Sequence, residues 1–173
     1  MPWKNGKGIT LEIQTGGANE TNAGNWEWRV SAAAVVENGP FSIFQGMDRF
    51  LTIYQGAEMR LTHSNQDVER VMKPFEVARF SGDVDTHATI PAGPVRDLGL
   101  IVVRGRVKGD LVVADRGSVL MEGFQVLVAL EKAEVLVDGQ QVQLDVLDSI
   151  LDVGKETVCI QSGTIALVYI STE

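Results

Sequence analysis

Apolar and polar residues alternate with a period of two along much of this chain. Glu27 to Val35 places Trp28, Val30 and Ala32 on one face and Arg29, Ser31 and Ala33 on the other, the pattern of a half-buried strand. Arg49 to Gln55 repeats it with Leu51 and Ile53 on one side, and Leu98 to Val103 is a strongly β-favouring run. Further strands are expected at Gly109 to Ala114, Val126 to Glu131, Glu134 to Val137, Ser149 to Val153, Thr157 to Gln161 and Thr164 to Ile170. Turn residues separate them at Asn38-Gly39-Pro40, Ser81-Gly82-Asp83, Pro91-Ala92-Gly93-Pro94, Asp138-Gly139 and Ser162-Gly163. Asp138-Gly139, between two apolar runs, is the sharpest hairpin signal. No helical stripe emerges anywhere. Many short strands at regular spacing predict an all-β barrel or sandwich. Closed barrels also remove the sheet edges that invite aggregation.

The chain also repeats itself. Residues 51 to 61 read LTIYQGAEMRL and residues 127 to 137 read LVALEKAEVLV, with Ala57-Glu58 matching Ala133-Glu134 at an offset of 76. Leu100-Ile101-Val102 faces Leu167-Val168-Tyr169 at an offset of 67. Two related β-modules are expected, at 1–100 and 101–173, packed together as one compact unit.

Composition narrows the function. A chain of 173 residues, 45% hydrophobic, builds a real core and is not a disordered regulator. A net charge of −8 with no basic run argues against nucleic acid. No apolar stretch is long enough to span a membrane, and the polar start, Met1 to Gly8, does not resemble a signal peptide. A cytoplasmic location is the expectation. The single cysteine, Cys159, allows no intrachain disulfide framework and sits in an apolar run, where it reads as a small buried hydrophobe.

Candidate chemistry is sparse. His63 and His87 are the two histidines, too far apart for a His-x-His metal pair, so no metal is expected. His63, in the polar stretch Thr62 to Gln66, reads as solvent-exposed, and His87 as a surface strand residue. The arginines say more. Arg49 shares parity with Leu51 and Ile53, so it faces the barrel interior with them. Arg29 shares a face with the small residues Ser31 and Ala33, and Arg104 ends the strand after Leu100 and Val102. An inward arginine is costly unless an anion meets it, either a carboxylate such as Asp48 or Asp97 or a bound ligand. The glycine-rich start, Trp3 to Gly8, lacks the spacing of a phosphate loop.

Several blocks together resemble the HutD/Ves family of bicupins. They are Met1-Pro2-Trp3-Lys4-Asn5-Gly6, Trp28-Arg29-Val30-Ser31, Gly39-Pro40-Phe41-Ser42-x-Phe44-x-Gly46-x-Asp48-Arg49, Phe80-x-Gly82-Asp83 and Gly93-Pro94-Val95-x-Asp97. The resemblance covers residues 1–105, and the rest matches as a cupin-like β-module. It implies two fused cupin-like barrels of the jelly-roll or double-stranded β-helix type, and a bacterial cytoplasmic protein. One branch of the family is linked to histidine utilisation and to binding a pathway acid such as formylglutamate or urocanate. Carried over residue by residue, the ligand-binding positions are Asn5, Arg29, Ser31, Asp48, Arg49, Asp97 and Arg104. This chain departs from the family pattern at Gly6-Lys7-Gly8, at Asp97-Leu98-Gly99 (the family usually reads Asp-Phe-Asn) and at Val103-Arg104, where the family often has two arginines.

The expectation is a non-catalytic binder of a small carboxylate metabolite, with no metal or cofactor, monomeric or weakly dimeric, and regulating amino-acid catabolism. The alternative is a metal-free isomerase or lyase acting on a small carbonyl or sugar acid, with His87, Asp48 or Asp83 as base. A third reading is a vestigial pocket, its arginines closed onto Asp48, Asp97 or Glu58.

Overall fold

The computed structural model describes residues 9–18, 25–66, 68–116, 123–151 and 158–172. All regular structure among them is β. The strands are β1 (Thr10–Gly16), β2 (Trp28–Val35), β3 (Gly39–Pro40), β4 (Met47–Gln55), β5 (Met59–His63), β6 (Arg70–Met72), β7 (Val77–Ser81) and β8 (Thr86–Thr89). They continue with β9 (Val95–Val103), β10 (Val107–Asp115), β11 (Val126–Ala129), β12 (Ala133–Val137), β13 (Gln140–Leu144), β14 (Ser149–Leu151), β15 (Val158–Ser162) and β16 (Thr164–Thr172). The chain divides into two compact units, and the change comes between Lys108 and Gly109, beyond β9.

The first unit contains a sheet of order β1-β2-β9-β4-β7 and a second of order β3-β8-β5-β6. The second unit contains β10-β16-β11-β14 and β13-β12-β15. Antiparallel ladders join β1 to β2, β2 to β9, β9 to β4, β4 to β7, β3 to β8, β8 to β5, β5 to β6, β11 to β14 and β16, and β12 to β13 and β15. The two units share one wiring. Strands β2, β4, β5, β6, β7, β8 and β9 of the first correspond in chain order and pairing to β10 through β16 of the second. This is the repeat that the 51–61 and 127–137 segments signal.

Strand register refines that repeat. Leu51 pairs with Gly99 and Ile53 with Asp97, while Leu127 pairs with Leu167 and Ala129 with Ile165. Matching Leu51 to Leu127 therefore matches Gly99 to Leu167 and Asp97 to Ile165. The sequence-based offset of 67 is one residue short. It equates Leu100, whose partner on β4 is Phe50, with Leu167, which lies on the opposite face. In a strand one residue of slip exchanges inside for outside.

The Asp138-Gly139 hairpin forms as expected. Val137 pairs with Gln140 across a two-residue loop whose φ values are 48° and 80°, the positive pair that favours Asp-Gly. Gly39-Pro40, read as a turn, instead forms β3 against Ala88 and His87. Strands β1, β5, β6, β7, β8 and β13 are additions to the sequence-based set. They are short or carry polar residues, as in Gln140–Leu144, so their apolar signal is weak.

Each unit has its own core. In the first, Val35, Leu51, Ile53, Met59, Leu61, Met72, Ala78, Ala88, Ile90 and Val95 cluster, with Phe41 and Phe80 packed against them. Leu51 and Ile53 thus mark the inner face of β4. In the second, Leu127, Ala129, Val135, Leu144, Ile160, Ile165 and Leu167 are among the residues that fill the interior. No helix among the described residues is long and apolar enough to cross a membrane.

Candidate functional site in the first unit

Residues paired directly across an antiparallel sheet project from the same face. On the inner face of the large sheet, one transverse row runs Thr15, Arg29, Ile101, Arg49, Phe80 across β1, β2, β9, β4 and β7. The next inward row runs Glu12, Ser31, Gly99, Leu51, Ala78, and the one after it Thr10, Ala33, Asp97, Ile53. Four of the expected site residues, Arg29, Ser31, Arg49 and Asp97, therefore share one interior surface. Asn5 lies outside the described residues.

The two arginines are held by aromatic rings. The Arg49 Cζ lies 5.0 Å from the Phe41 ring centre, 5.2 Å from Phe44 and 5.2 Å from Phe80, within cation–π range. Its Nη1 donates to the Ser42 carbonyl at 3.1 Å. Burial lowers its pKa to about 10, with Asp97 opposing the fall and Arg29 adding to it. Arg29 lies over Trp26 at 5.1 Å and over Phe44 at 5.6 Å. Its pKa is also lowered by burial, against the pull of Glu12. Its Nε is buried with no hydrogen-bond partner among the described residues.

Asp97 is 4% exposed. Burial raises its pKa to about 7, with Arg49 drawing it back down. Ser31 is also buried. The result is an interior with two cations at one end and a titrating carboxyl group at the other.

Asp48 and Arg104 are not part of this surface. Asp48 alternates with Arg49 along β4 and so points to the other face. Arg104 donates to Asp48 Oδ1 from Nη2 at 2.6 Å and to Asp83 Oδ2 from Nη1 at 2.9 Å, and also reaches Ser81 Oγ and the Met47 carbonyl. These contacts raise the Arg104 pKa. Asp83 also accepts from the Gly46 N–H at 2.6 Å, and with Arg104 and Ser81 this holds its pKa at about 2. The expected ligand arginine thus clamps the β9–β10 turn to the start of β4 and to the end of β7 and the turn after it. Gly82 completes it, because a Cβ there would lie 2.6 Å from the Phe44 carbonyl oxygen. Glu58 pairs with Arg60 rather than with an inward arginine.

His63 is not exposed as the sequence suggested. It is buried on β5, with Nδ1 2.9 Å from Thr86 Oγ1 and its ring 5.1 Å from Phe80. The alternation of Met59, Leu61 and His63 turns it inward, and this parity outweighs the polar composition of the segment. His87 is exposed on β8. Cys159 is half-buried on β15, where Gln161 donates to its Sγ. The described residues contain no group of three His, Cys, Asp or Glu able to hold a metal.

The HutD family model matches residues 1–167. The chain belongs to the HutD family. It is 36% identical over 146 residues, 83% of this chain and 75% of the relative, to a Pseudomonas putida protein described as an uncharacterized 21.2 kDa protein in the hutC 3′ region. It is 34% identical over 115 residues, 66% of this chain and 58% of the relative, to protein Ves of Citrobacter koseri. The structure of HutD from Pseudomonas fluorescens SBW25, from a formate condition, superposes with a TM-score of 0.83 at 30% identity, over 100% of this chain and 93% of that one. The fold of this HutD-family chain is accordingly a bicupin, two cupin-like β-barrel units in one chain.

Two features of the HutD-family site were missed in the sequence. One is the ring set Trp26, Phe41, Phe44 and Phe80. Two of its members stand in the Gly39-Pro40-Phe41-Ser42-x-Phe44 block, so the signal was present without its meaning. The other is the place of Gly99: the sequence marks it as a departure from the family's Asp-Phe-Asn, and strand register puts it between the arginines and Asp97.

Proposed function

We propose that this HutD-family protein binds a small carboxylate inside its first unit without turning it over. Arg29 and Arg49 receive the carboxylate, and Ser31, with Asn5 by family resemblance, fixes its orientation. One observation carries this reading: two arginines on one interior face hold no carboxylate within salt-bridge distance among the described residues, and the Nε of one is buried and unpaired. An arriving anion supplies the missing acceptor and offsets the repulsion between the two guanidinium groups. The family resemblance and the hutC-region description of the Pseudomonas putida relative support a cytoplasmic role in histidine catabolism, in which a monomer or weak homodimer senses an acid such as formylglutamate or urocanate.

The test is a thermal-shift and calorimetry panel of formylglutamate, urocanate, histidine, glutamate and several sugar acids, each with and without EDTA. Binding to the folded state raises Tm with ligand concentration. One acid should raise Tm, keep that effect in EDTA and lose it in Arg49→Ala. Failure of every acid to bind overturns the reading, and loss of the shift in EDTA overturns its metal-free form.

A second reading is favoured by Asp97. A buried carboxyl group whose pKa burial raises to about 7 and which shares an inner face with two arginines is placed to move a proton. The bases named from sequence are less suited: His87 is exposed, and Asp48 and Asp83 are paired to Arg104. A metal-free isomerase or lyase would then use Asp97. NMR of the same acids incubated with protein separates the readings, because only an enzyme produces new product signals.

A further inference from the structure

We infer that Gly99 sets the reach of the first unit's ligand, leaving open the space over β9 through which an acid held at Arg29 and Arg49 extends its tail toward Asp97. This deepens the carboxylate-binding reading and rests on it. Gly99 lies between Ser31 and Leu51 in the row that separates the arginines from Asp97. Each row is two residues from the next, about 7 Å along the strand.

Nothing in the backbone asks for glycine here. Gly99 sits in the middle of β9 and has no positive φ. Mid-strand glycine weakens a strand and often marks a close approach by a ligand. A Cβ at this position would meet only the Phe50 and Ser31 carbonyl oxygens, at 3.7 and 3.9 Å. These are ordinary contacts, and no side chain of the described residues comes within 4 Å.

The second unit is the control within the same chain. Its residue at the matching register is Leu167, fully buried in the core, and Ile165 stands where the first unit has Asp97. The same wiring is filled with apolar side chains in one unit and left open, with a polar far end, in the other. The ligand class that fits is an acid with a carboxylate at one end and a polar tail that runs over Gly99 toward Asp97, whose row lies two steps, about 14 Å along β9, from that of the arginines. Formate and acetate are too short to use the space. Glutarate and N-formylglutamate are long enough to reach the Gly99 row, about 7 Å away.

The experiment measures formate, acetate, glutarate and N-formylglutamate binding by calorimetry and NMR titration to wild type, Gly99→Ala and Gly99→Leu. Filling a pocket by one methyl group changes affinity about tenfold or more. The long acids should lose about tenfold in Gly99→Ala and more in Gly99→Leu, while formate and acetate change less than about threefold. Gly99→Ala decides the matter if the leucine variant fails to fold. Equal binding of the long acids to wild type and a folded variant overturns the role of Gly99 and leaves the carboxylate reading standing. A uniform loss across all four acids at unchanged Tm also overturns it, since the arginine end is then what was disturbed. Failure of the wild type to bind any acid removes the carboxylate reading and this inference with it.

Discussion

Arg29 and Arg49 flank one residue, Ile101, from the two neighbouring strands, and their guanidinium carbons lie 5.6 and 5.2 Å from the same Phe44 ring. Like charges are thus held against one aromatic ring. The ring faces offset part of the repulsion, but each arginine still gives up pKa to burial. An arrangement that is costly when empty and favourable when an anion is bound belongs to a binding site more than to a core.

Arg29→Met tests that relationship. The substitution removes a buried unpaired Nε, which costs about 1–3 kcal/mol, and keeps the packing volume of the stem. The variant should melt at or above the wild-type Tm and lose at least about tenfold in carboxylate affinity, one lost charge-assisted hydrogen bond being worth about that much. A variant that unfolds well below wild type would make Arg29 a structural residue.

Asp97 sets a pH dependence of the opposite sign to that of most carboxylates. Its folded pKa, about 7, lies above the ordinary value of 3.8. The unfolded chain therefore releases the proton first, and Asp97 subtracts stability progressively as pH rises from about 4 to about 7. Asp97→Asn removes that penalty. The variant's advantage over wild type in urea unfolding should be near zero at pH 4 and largest above pH 7. Ligand binding should follow the same group: an anion entering beside an ionised Asp97 is repelled, so wild-type affinity should rise as pH falls from 8 to 6 and Asp97→Asn should flatten that profile.

Much of this was legible in the sequence, and the failures have physical causes. Period-two alternation placed Arg49 on the inner face with Leu51 and Ile53, because the rule is local to one strand. The inward turn of His63 follows from the same rule, but the polar residues Ser64, Asn65 and Gln66 masked the alternation of Met59 and Leu61. Arg104 stands just past β9, in a turn where parity no longer applies, and there its contacts are set by how that turn meets the start of β4 and the end of β7. The significance of Gly99 needed register between strands, which no single strand contains.

Arg104 supplies a direct check on the role of these contacts. Its side chain is spent on Asp48, Asp83 and Ser81, so Arg104→Ala should keep carboxylate affinity within about threefold of wild type, well under the tenfold step expected for loss of a direct ionic contact. Its effect belongs in stability. Asp83, held at about 2 against an ordinary 3.8, contributes stability that is present above pH 4 and lost as pH falls toward 2. Arg104→Ala and Asp83→Asn should each shrink the acid limb of the unfolding profile in that window. A large loss of affinity in Arg104→Ala would return Arg104 to the site.

The buried imidazole of His63 gives the last prediction. Thr86 Oγ1 donates to the Val84 carbonyl at 3.1 Å, so toward His63 it acts as acceptor and the proton sits on Nδ1. Thr86→Val leaves that N–H without its partner and should cost about 1–3 kcal/mol. Burial and the nearby Arg70 lower the His63 pKa below 6.5. The unfolded chain then takes up the proton more readily, and His63 subtracts stability as pH falls below about 6.5. In wild type this runs against the Asp97 effect over the same range. The Asp97→Asn background separates them: its stability should fall between pH 7 and pH 5. Adding His63→Asn, whose amide can still donate to Thr86, should remove the fall. A flat profile in Asp97→Asn alone would mean that His63 accepts its proton without cost. Because the His63 ring backs onto Phe80, which also holds Arg49, Thr86→Val should weaken carboxylate binding severalfold as well.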